Sequence, residues 1–213
     1  MPIAKKRVLI VDDEPATRLL LGQIFSGMGH DVAVAEDGFT ALEAIRQAEP
    51  DLILSDLNMP GMSGFELLSV VRRRLPSIYV IASSGAYTGD SVPEGISADA
   101  FYEKATTLKA LFEIVKGALG TEARKTRRIG SEVPVWLTME EGHSADKEYF
   151  VISCTECLRT FSHVHEKVFG VVHHADCVHC KSPTPYAVVR LLAKVNEQAY
   201  QMELDTAGRS LRA

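Results

Sequence analysis

The first 120 residues alternate between short apolar runs and longer amphipathic stretches. Five runs are rich in aliphatic and β-branched residues, and they span residues 7–12, 31–35, 51–55, 78–83 and 98–103. In the stretches that follow, at 15–28, 38–48, 63–75 and 106–119, apolar residues recur every three or four positions. That spacing is typical of one face of an α-helix, and uninterrupted apolar strands are typical of a sheet covered on both faces. The pattern predicts an α/β fold with a doubly wound, five-stranded parallel sheet.

Charged residues stand where the predicted strands end. Asp12 and Asp13 end the first strand, Asp56 follows the third, and Lys104 follows the fifth. Taken singly, each acid would be an ordinary capping or loop residue. In a parallel sheet, however, the carboxyl ends of the strands meet at one edge, where functional groups gather. Three carboxylates brought together repel unless a cation lies among them, and oxygen ligands of this kind suit Mg²⁺.

Asp56 is the candidate nucleophile of this edge. A carboxylate that attacks a phosphoryl group forms an acyl phosphate, and Mg²⁺, the Lys104 ammonium and a hydroxyl would stabilise the phosphoryl oxygens. Ser83 and Ser84 end the fourth strand, so either could supply that hydroxyl.

Four motifs resemble those of the receiver domain of two-component response regulators, which has a flavodoxin-like fold. They are VLIVDDEP, DLILSDLNMPGMSGFELL, VIASSG and ADAFYEK, and together they cover slightly more than half of the chain. The resemblance implies that Asp12 and Asp13 are the acidic metal-binding pair, Asp56 the phosphoacceptor and Lys104 the phosphate-binding lysine. It adds Asn58, whose backbone carbonyl would ligate Mg²⁺. It also implies Ser84 as the hydroxyl residue, since Gly85 matches the small residue that usually follows it in the family, while the spacing to Lys104 would tolerate Ser83. It also implies a histidine kinase or phosphotransfer protein as partner, and no enzyme activity beyond the domain's own phosphoryl transfer and dephosphorylation.

The stretch AYTGDSVPEGIS departs from the family pattern. It contains Pro93 and two glycines between the fourth and fifth strands, which leaves little room for a regular fourth helix. The family commonly uses that helix in signalling, so we expect the signalling face to differ here.

Charge divides the chain into two parts. Residues 1–120 carry 11 Lys and Arg against 16 Asp and Glu, whereas residues 121–213 carry 12 of each. We interpret residues 1–120 as a receiver domain, 121–134 as a basic linker and 135–213 as a second module. Four basic residues of the linker are the only local support for nucleic-acid contact, namely Arg124, Lys125, Arg127 and Arg128. The amino terminus does not resemble a secretory signal, and no apolar stretch is long enough to span a membrane, so the sequence predicts a cytoplasmic protein.

Two Cys-x2-Cys pairs dominate the second module. Cys154 and Cys157 form the first pair, Cys177 and Cys180 the second, and 19 residues separate the pairs. This spacing suits a tetrahedral, four-thiolate Zn²⁺ site with a structural role. The runs EYFVIS, RTFSHVH and VFGVVHH around the pairs favour strands, so the module resembles a zinc ribbon.

Other interpretations of the module stay open. A redox pair would also use Cys-x2-Cys but needs its own strand and helix context, and five nearby histidines, His163, His165, His173, His174 and His179, could replace a cysteine as ligand. After the ribbon, SPTPYAVVRLLAKVNEQAYQMEL predicts a C-terminal helix that begins near Pro185 and packs on the ribbon, or else binds a partner or a second copy in a homodimer.

The sequence therefore favours a response regulator in which phosphorylation of Asp56 controls a zinc-binding interaction module. Because the second module is charge-neutral and lacks a helix-turn-helix pattern, we expect a protein partner downstream. The alternative hypothesis is a metal or redox sensor that uses the cysteine pairs as input and the receiver as a scaffold.

Overall fold

The computed structural model describes residues 5–88, 96–104, 106–119, 134–139, 148–154, 156–157, 159–165, 169 and 171–190. We call residues 5–119 of this set the α/β unit and residues 134–190 the cysteine module. None of the helices in these ranges combines the length and the apolar character needed to cross a membrane. The predicted basic residues at 124–128 lie outside the described residues.

The α/β unit is built on a parallel five-stranded sheet with the order β2-β1-β3-β4-β5. Its strands are β1 (Arg7–Val11), β2 (Asp31–Ala35), β3 (Leu52–Asp56), β4 (Tyr79–Ser84) and β5 (Ala100–Glu103). Its helices are α1 (Pro15–Gly27), α2 (Gly38–Gln47), α3 (Gly64–Arg74) and α4 (Leu108–Leu119). The predicted doubly wound sheet is confirmed, and each predicted strand and helix lies within a few residues of its expected position.

Apolar side chains of the sheet alternate between two cores. In β1, Val8 and Ile10 pack with residues of α1 and α4, whereas Leu9 and Val11 pack with residues of α2 and α3. Both faces of the strand are therefore buried from solvent, which explains why its sequence is apolar without interruption. The described residues of the connection between β4 and β5, at 85–88 and 96–99, form no helix, as the sequence predicted for this part.

The cysteine module consists of two small sheets. Strands β6 (Val135–Met139), β9 (His173–Asp176) and β10 (Pro183–Arg190) form a three-stranded sheet in the order β6-β10-β9. Strands β7 (Glu148–Ser153) and β8 (Thr160–His165) form an antiparallel hairpin. The hairpin's inward residues, such as Phe150 and Ile152, share a core with the sheet, while Tyr149 and Val151 face outward and are exposed.

The predicted C-terminal helix is wrong for residues 183–190, which form strand β10; residues 191–213 lie outside the described residues. The reason is packing on both faces. Tyr186 and Val188 point into the core of the cysteine module, while Ala187 and Val189 point into the core shared with α2 and α3. In the sequence, a run of four apolar residues buried on both faces is also compatible with one turn of a helix. Only the elements that pack against it in the fold favour a strand.

Trp136 joins the cysteine module to the α/β unit. Its side chain is 3% exposed and lies in the α2 and α3 core, with its ring centroid 6.4 Å from that of Phe65. Its backbone N–H donates to Ser69 Oγ of α3 at 3.2 Å. Its indole N–H is buried without a hydrogen-bond partner in the part of the chain that the structure describes. The ring thus belongs to the core of the α/β unit and not to that of the cysteine module.

We expect Trp136→Ala to lower the free energy of unfolding by about 3 kcal/mol, because it removes a buried aromatic ring and leaves a cavity. Trp136→Phe should cost much less, since it keeps most of the apolar contact and removes an unpartnered donor. Chemical denaturation measures both. Tyr149→Ala is the matched control, because this aromatic residue of the same module is 75% exposed. Equal losses in Trp136→Ala and Tyr149→Ala would contradict the packing of Trp136 on α3.

Candidate functional site

The turn after β3 places Asp56 directly beneath the start of α3. The backbone N–H of Gly64 donates to the carbonyl of Leu57 at 3.1 Å. A Cβ at Gly64 would overlap the carbonyl oxygen of Asp56, so only glycine allows the helix to begin this close to the strand end. Ser63 caps the helix by accepting from the backbone N–H of Glu66 at 3.4 Å. The first turn of α3 is therefore attached to the backbone that carries Asp56.

Lys104 bridges the two buried carboxylates of the site. Its Nζ lies 2.8 Å from Oδ2 of Asp56 and 2.8 Å from Oδ2 of Asp12. Asp56 is 1% exposed and Asp12 is 2% exposed. The remaining oxygens meet backbone donors: the N–H of Asn58 lies 3.3 Å from Asp56 Oδ1, and the N–H of Glu14 lies 3.0 Å from Asp12 Oδ1. The predicted charged residues are thus brought together at the carboxyl edge of the sheet.

Burial and charge shift two pKa values in this cluster. Burial raises the pKa of Asp12 to about 6, with Lys104 opposing the shift and Asp56 adding to it. For Lys104, burial lowers the pKa, but attraction to Asp56 and Asp12 outweighs it and raises the pKa above its ordinary value. Lys104 is therefore a permanent cation between carboxylates that would otherwise repel each other.

The carboxylates fit a divalent cation with oxygen ligands. One oxygen each of Asp12, Asp13 and Asp56 lie within 4.8 Å of one another, and Asp13 is the most exposed of the three. Opposite ligands of Mg²⁺ are about 4.2 Å apart, since each lies about 2.1 Å from the ion. Oxygens grouped within 4.8 Å are therefore close enough to serve as ligands of one ion. Asn58, 8% exposed, lies beside Asp56, and its role as a Mg²⁺ ligand stays a prediction.

Both candidate hydroxyls are buried at the end of β4. Ser83 pairs in register with Asp56, and its backbone carbonyl accepts from Leu57 N–H at 2.9 Å. The Ser84 hydroxyl oxygen accepts from the N–H groups of Ala86 at 3.0 Å and Tyr87 at 3.3 Å. Its hydroxyl hydrogen can still be donated, so the preference for Ser84 stays a prediction.

The four cysteines converge on a second cluster. The Sγ atoms all lie within 4.8 Å of one another, with Cys154 Sγ 3.6 Å from Cys180 Sγ and Cys157 Sγ 3.7 Å from Cys177 Sγ. These distances are far too long for a disulfide. They match the edge of a tetrahedron of sulfurs around Zn²⁺, about 3.8 Å for Zn–S bonds of about 2.3 Å. The cysteines alone fill four positions, so none of the neighbouring histidines is needed as a ligand.

The two cysteine pairs sit on equivalent turns, or knuckles. In each, the N–H of the first cysteine donates to the carbonyl five residues later: Cys154 to Arg159 at 2.9 Å and Cys177 to Ser182 at 3.0 Å. Hydrogen bonds from Ser182 lower the pKa of Cys180 to about 6. A backbone hydrogen bond from Arg159 lowers the pKa of Cys157, but burial and the three other thiols together raise it to about 11. Because a metal binds the thiolate form, metal binding here would displace the remaining thiol protons into solvent.

The first knuckle is also held by α3. Arg73 donates through Nε at 3.1 Å and Nη2 at 2.6 Å to Oε1 of Glu156, the residue between Cys154 and Cys157. Arg74 Nη2 donates to the backbone carbonyl of Glu156 at 2.6 Å. The sequence analysis missed these contacts, because ion pairs between residues more than 80 positions apart leave no local pattern.

Residues 8–116, just over half of the chain, match the response regulator receiver domain family. The chain belongs to this family. The receiver domain of this chain is similar to chemotaxis response regulator CheY4 of Vibrio cholerae, with 25% identity, a TM-score of 0.50 and coverage of 54% of this chain and 99% of that one. A CheY-like receiver domain of Methanospirillum hungatei is 30% identical, with a TM-score of 0.51 and coverage of 55% and 94%.

The curated relatives match about a third of the chain. The DNA-binding response regulator MtrA of Mycolicibacterium smegmatis is 43% identical over 72 residues, which are 34% of this chain and 32% of the relative. The Regulator of RpoS of Escherichia coli is 42% identical over 73 residues, 34% of this chain and 22% of the relative. The matched segment thus spans about a third or less of the length of these relatives.

We expect the affinity for Mg²⁺ to fall as the pH drops through about 6. Because the pKa of Asp12 is raised to about 6 in the metal-free protein, a proton competes with the metal below that pH, and at pH 5 binding should be about tenfold weaker than at pH 7. Calorimetric titration with Mg²⁺ at several pH values measures this. Asp31→Asn, at the opposite edge of the sheet, should keep the same profile, whereas Asp12→Asn should lose it. A flat profile in the parent protein would contradict the assignment of Asp12.

Proposed function

We propose that the protein is a two-component response regulator whose receiver domain accepts a phosphoryl group on Asp56 and thereby controls the cysteine module. The observation that carries the proposal is the Asp12, Asp56 and Lys104 cluster, with Lys104 Nζ 2.8 Å from both carboxylates. A buried carboxylate at a strand end, beside a permanent cation and two acidic metal-ligand candidates, suits phosphoryl transfer. We propose no other enzymatic activity.

A histidine kinase or a phosphotransfer protein is the proposed donor. In the transfer, an Asp56 oxygen forms a bond to phosphorus, the bond between phosphorus and the donor's imidazole nitrogen breaks, and the nitrogen keeps the electron pair. Response regulator TrrA, 32% identical with a TM-score of 0.50 and coverage of 54% of this chain, is seen in complex with histidine kinase ThkA. That relative supports a kinase of this class as partner.

This chain's residues would handle the charge of the acyl phosphate. Lys104 would leave Asp12 to contact the phosphoryl oxygens, and Ser84 would donate its hydroxyl hydrogen to them. Asp12, Asp13 and Asp56, with the carbonyl of Asn58, would hold Mg²⁺, which supplies neutralising positive charge when bound.

The cysteine module would bind one structural Zn²⁺ through Cys154, Cys157, Cys177 and Cys180. The 3.6 and 3.7 Å spacing of sulfurs from opposite knuckles supports this metal. Four thiolates close the coordination shell, so the metal would stabilise the module rather than act on a substrate. Because the module's packing on α3 continues into the turn that carries Asp56, phosphorylation would change how the module is presented to a protein partner.

We expect Asp56→Ala to abolish labelling by a small phosphodonor with a radioactive phosphoryl group, because it removes the acceptor oxygen. Ser84→Ala should slow labelling about tenfold or more, since a donor to the phosphoryl oxygens is lost, and Ser83→Ala should change it less. The amount of acid-stable, hydroxylamine-labile label measures the acyl phosphate. Asp31→Asn is the control. Labelling that persists in Asp56→Ala would contradict the assignment.

We expect about one zinc per chain in protein purified without chelators, from the four-thiolate site. Elemental analysis measures it, and Cys177→Ser should lose the metal because a buried ligand is removed. Substitution of Ser182, which contacts Cys180 without being a ligand, should keep the stoichiometry. Zinc at the same level in the Cys177→Ser protein would show that the metal binds elsewhere.

The second candidate function is a metal or redox sensor. It is favoured by one observation: Cys180 is exposed and its pKa is lowered to about 6, so that its thiolate would react with oxidants in metal-free protein. This function predicts a loss of zinc and formation of disulfides under mild oxidation, with no effect of Asp56→Ala on the response.

A further inference from the structure

Helix α3 contacts both chemical sites of the molecule. Its first residue, Gly64, lies against the backbone of Asp56, and its last turn holds Glu156 in the first cysteine knuckle. We propose that Arg73 and Arg74 are positioning residues of the cysteine site, and that metal binding there and docking of the cysteine module on α3 strengthen each other. The inference rests on the proposed function, in that it requires a metal at the cysteines.

The contact with Glu156 fixes the part of the knuckle that must turn sharply. Glu156 lies between the two ligands of the pair, and its own backbone N–H points at Cys154 Sγ, 3.4 Å away. Arg74 holds the carbonyl of the same peptide segment, and Arg73 holds the side chain by a forked contact. Together they leave this residue little freedom to rotate. An N–H aimed at sulfur stabilises the thiolate, which is the form that binds a metal.

The arginines themselves are well fixed. The Arg73 side chain is 15% exposed, whereas its partner Glu156 is 47% exposed. The preceding residue, Arg72, pairs with Asp99 at 2.8 Å and attaches the end of α3 to the residue before β5. The helix end is therefore the rigid partner, and the knuckle is the part that gains order from the contact.

Docking through Trp136 places the knuckle within reach of these arginines. Trp136 packs on Phe65 in the middle of the interface, and Phe65 in turn meets Tyr87 edge-on with ring centroids 5.5 Å apart. If the module left α3, Glu156 would lose its contacts with Arg73 and Arg74. Part of the free energy of metal binding would then be used to order the knuckle, and the metal affinity would fall. By linkage, a metal that orders the knuckle must favour the docked state by the same factor.

The test is a titration of the full-length, metal-free protein with Co²⁺ and then Zn²⁺, followed by the visible absorption of Co²⁺–thiolate. We expect Arg73→Gln to weaken metal affinity about tenfold. This is the lower end of the loss that follows when a hydrogen-bond partner outside the coordination shell is removed. We expect the lower end because Glu156 is half exposed. Arg46→Gln is the matched control: this arginine lies in the last turn of α2 and is exposed. It should leave the affinity unchanged.

Emission from Trp136, the chain's single tryptophan, reports docking in the same samples. We expect chelation of the metal to shift the emission to longer wavelength in the parent protein, and a larger shift in Arg73→Gln. The exchanged pair Arg73→Glu with Glu156→Arg should recover affinity that Arg73→Glu alone loses, which a merely structural role of Arg73 would not do.

The outcomes separate this inference from the proposed function. If the parent protein binds one metal but Arg73→Gln binds as tightly as Arg46→Gln, the coupling is wrong and the metal site stands. If chelation leaves Trp136 emission unchanged while the metal is lost, the coupling is wrong as well. If the parent protein binds no metal, both the inference and the metal assignment are overturned.

Discussion

The packing of Trp136 against α3 joins the cysteine module to the receiver domain. Strands β6 and β10 present apolar residues on both faces, so the cysteine module cannot bury its own strands without a second surface. The receiver supplies it where the described part of the β4–β5 connection forms no helix, beside α3, Tyr87 and Phe101. Side chains of the module therefore form part of the receiver's core. Because this core is closely packed, a displacement of receiver residues next to α3 would alter the packing of the module.

The two sites have the same electrostatic problem at opposite ends of α3. At one end, buried carboxylates are held together by Lys104, and at the other, four thiols crowd within 4.8 Å. The carboxylates repel each other without a cation, and the thiols become a cluster of like charges once they lose their protons, so each site is suited to bind a cation. Because α3 contacts the backbone of Asp56 and also Glu156 of the first cysteine knuckle, we infer that it transmits a change at one site to the other.

The sequence was sufficient to predict the receiver fold and the residues that come together in both clusters. Strand-end placement alone predicted that Asp12, Asp56 and Lys104 would meet, and the Cys-x2-Cys spacing predicted the sulfur cluster. It was insufficient where a segment's structure depends on distant neighbours. The sequence predicts a helix from Pro185 onward because apolar residues recur there at helical spacing. That prediction is wrong for residues 185–190, since a run buried on both faces has no period that separates strand from helix. The contacts of Arg73 with Glu156 and of Trp136 with Phe65 are set by docking, which no local pattern encodes.

The central claim is that phosphorylation of Asp56 changes, through α3, how the cysteine module packs on the receiver. The most direct measurement is Trp136 emission in zinc-loaded protein before and after addition of Mg²⁺ and beryllofluoride, a mimic of the phosphoryl group. We predict a shift of the emission in the parent protein and none in Asp56→Ala, with Asp31→Asn behaving as the parent. An emission spectrum that stays unchanged in the parent protein while Mg²⁺ and beryllofluoride bind would contradict the claim.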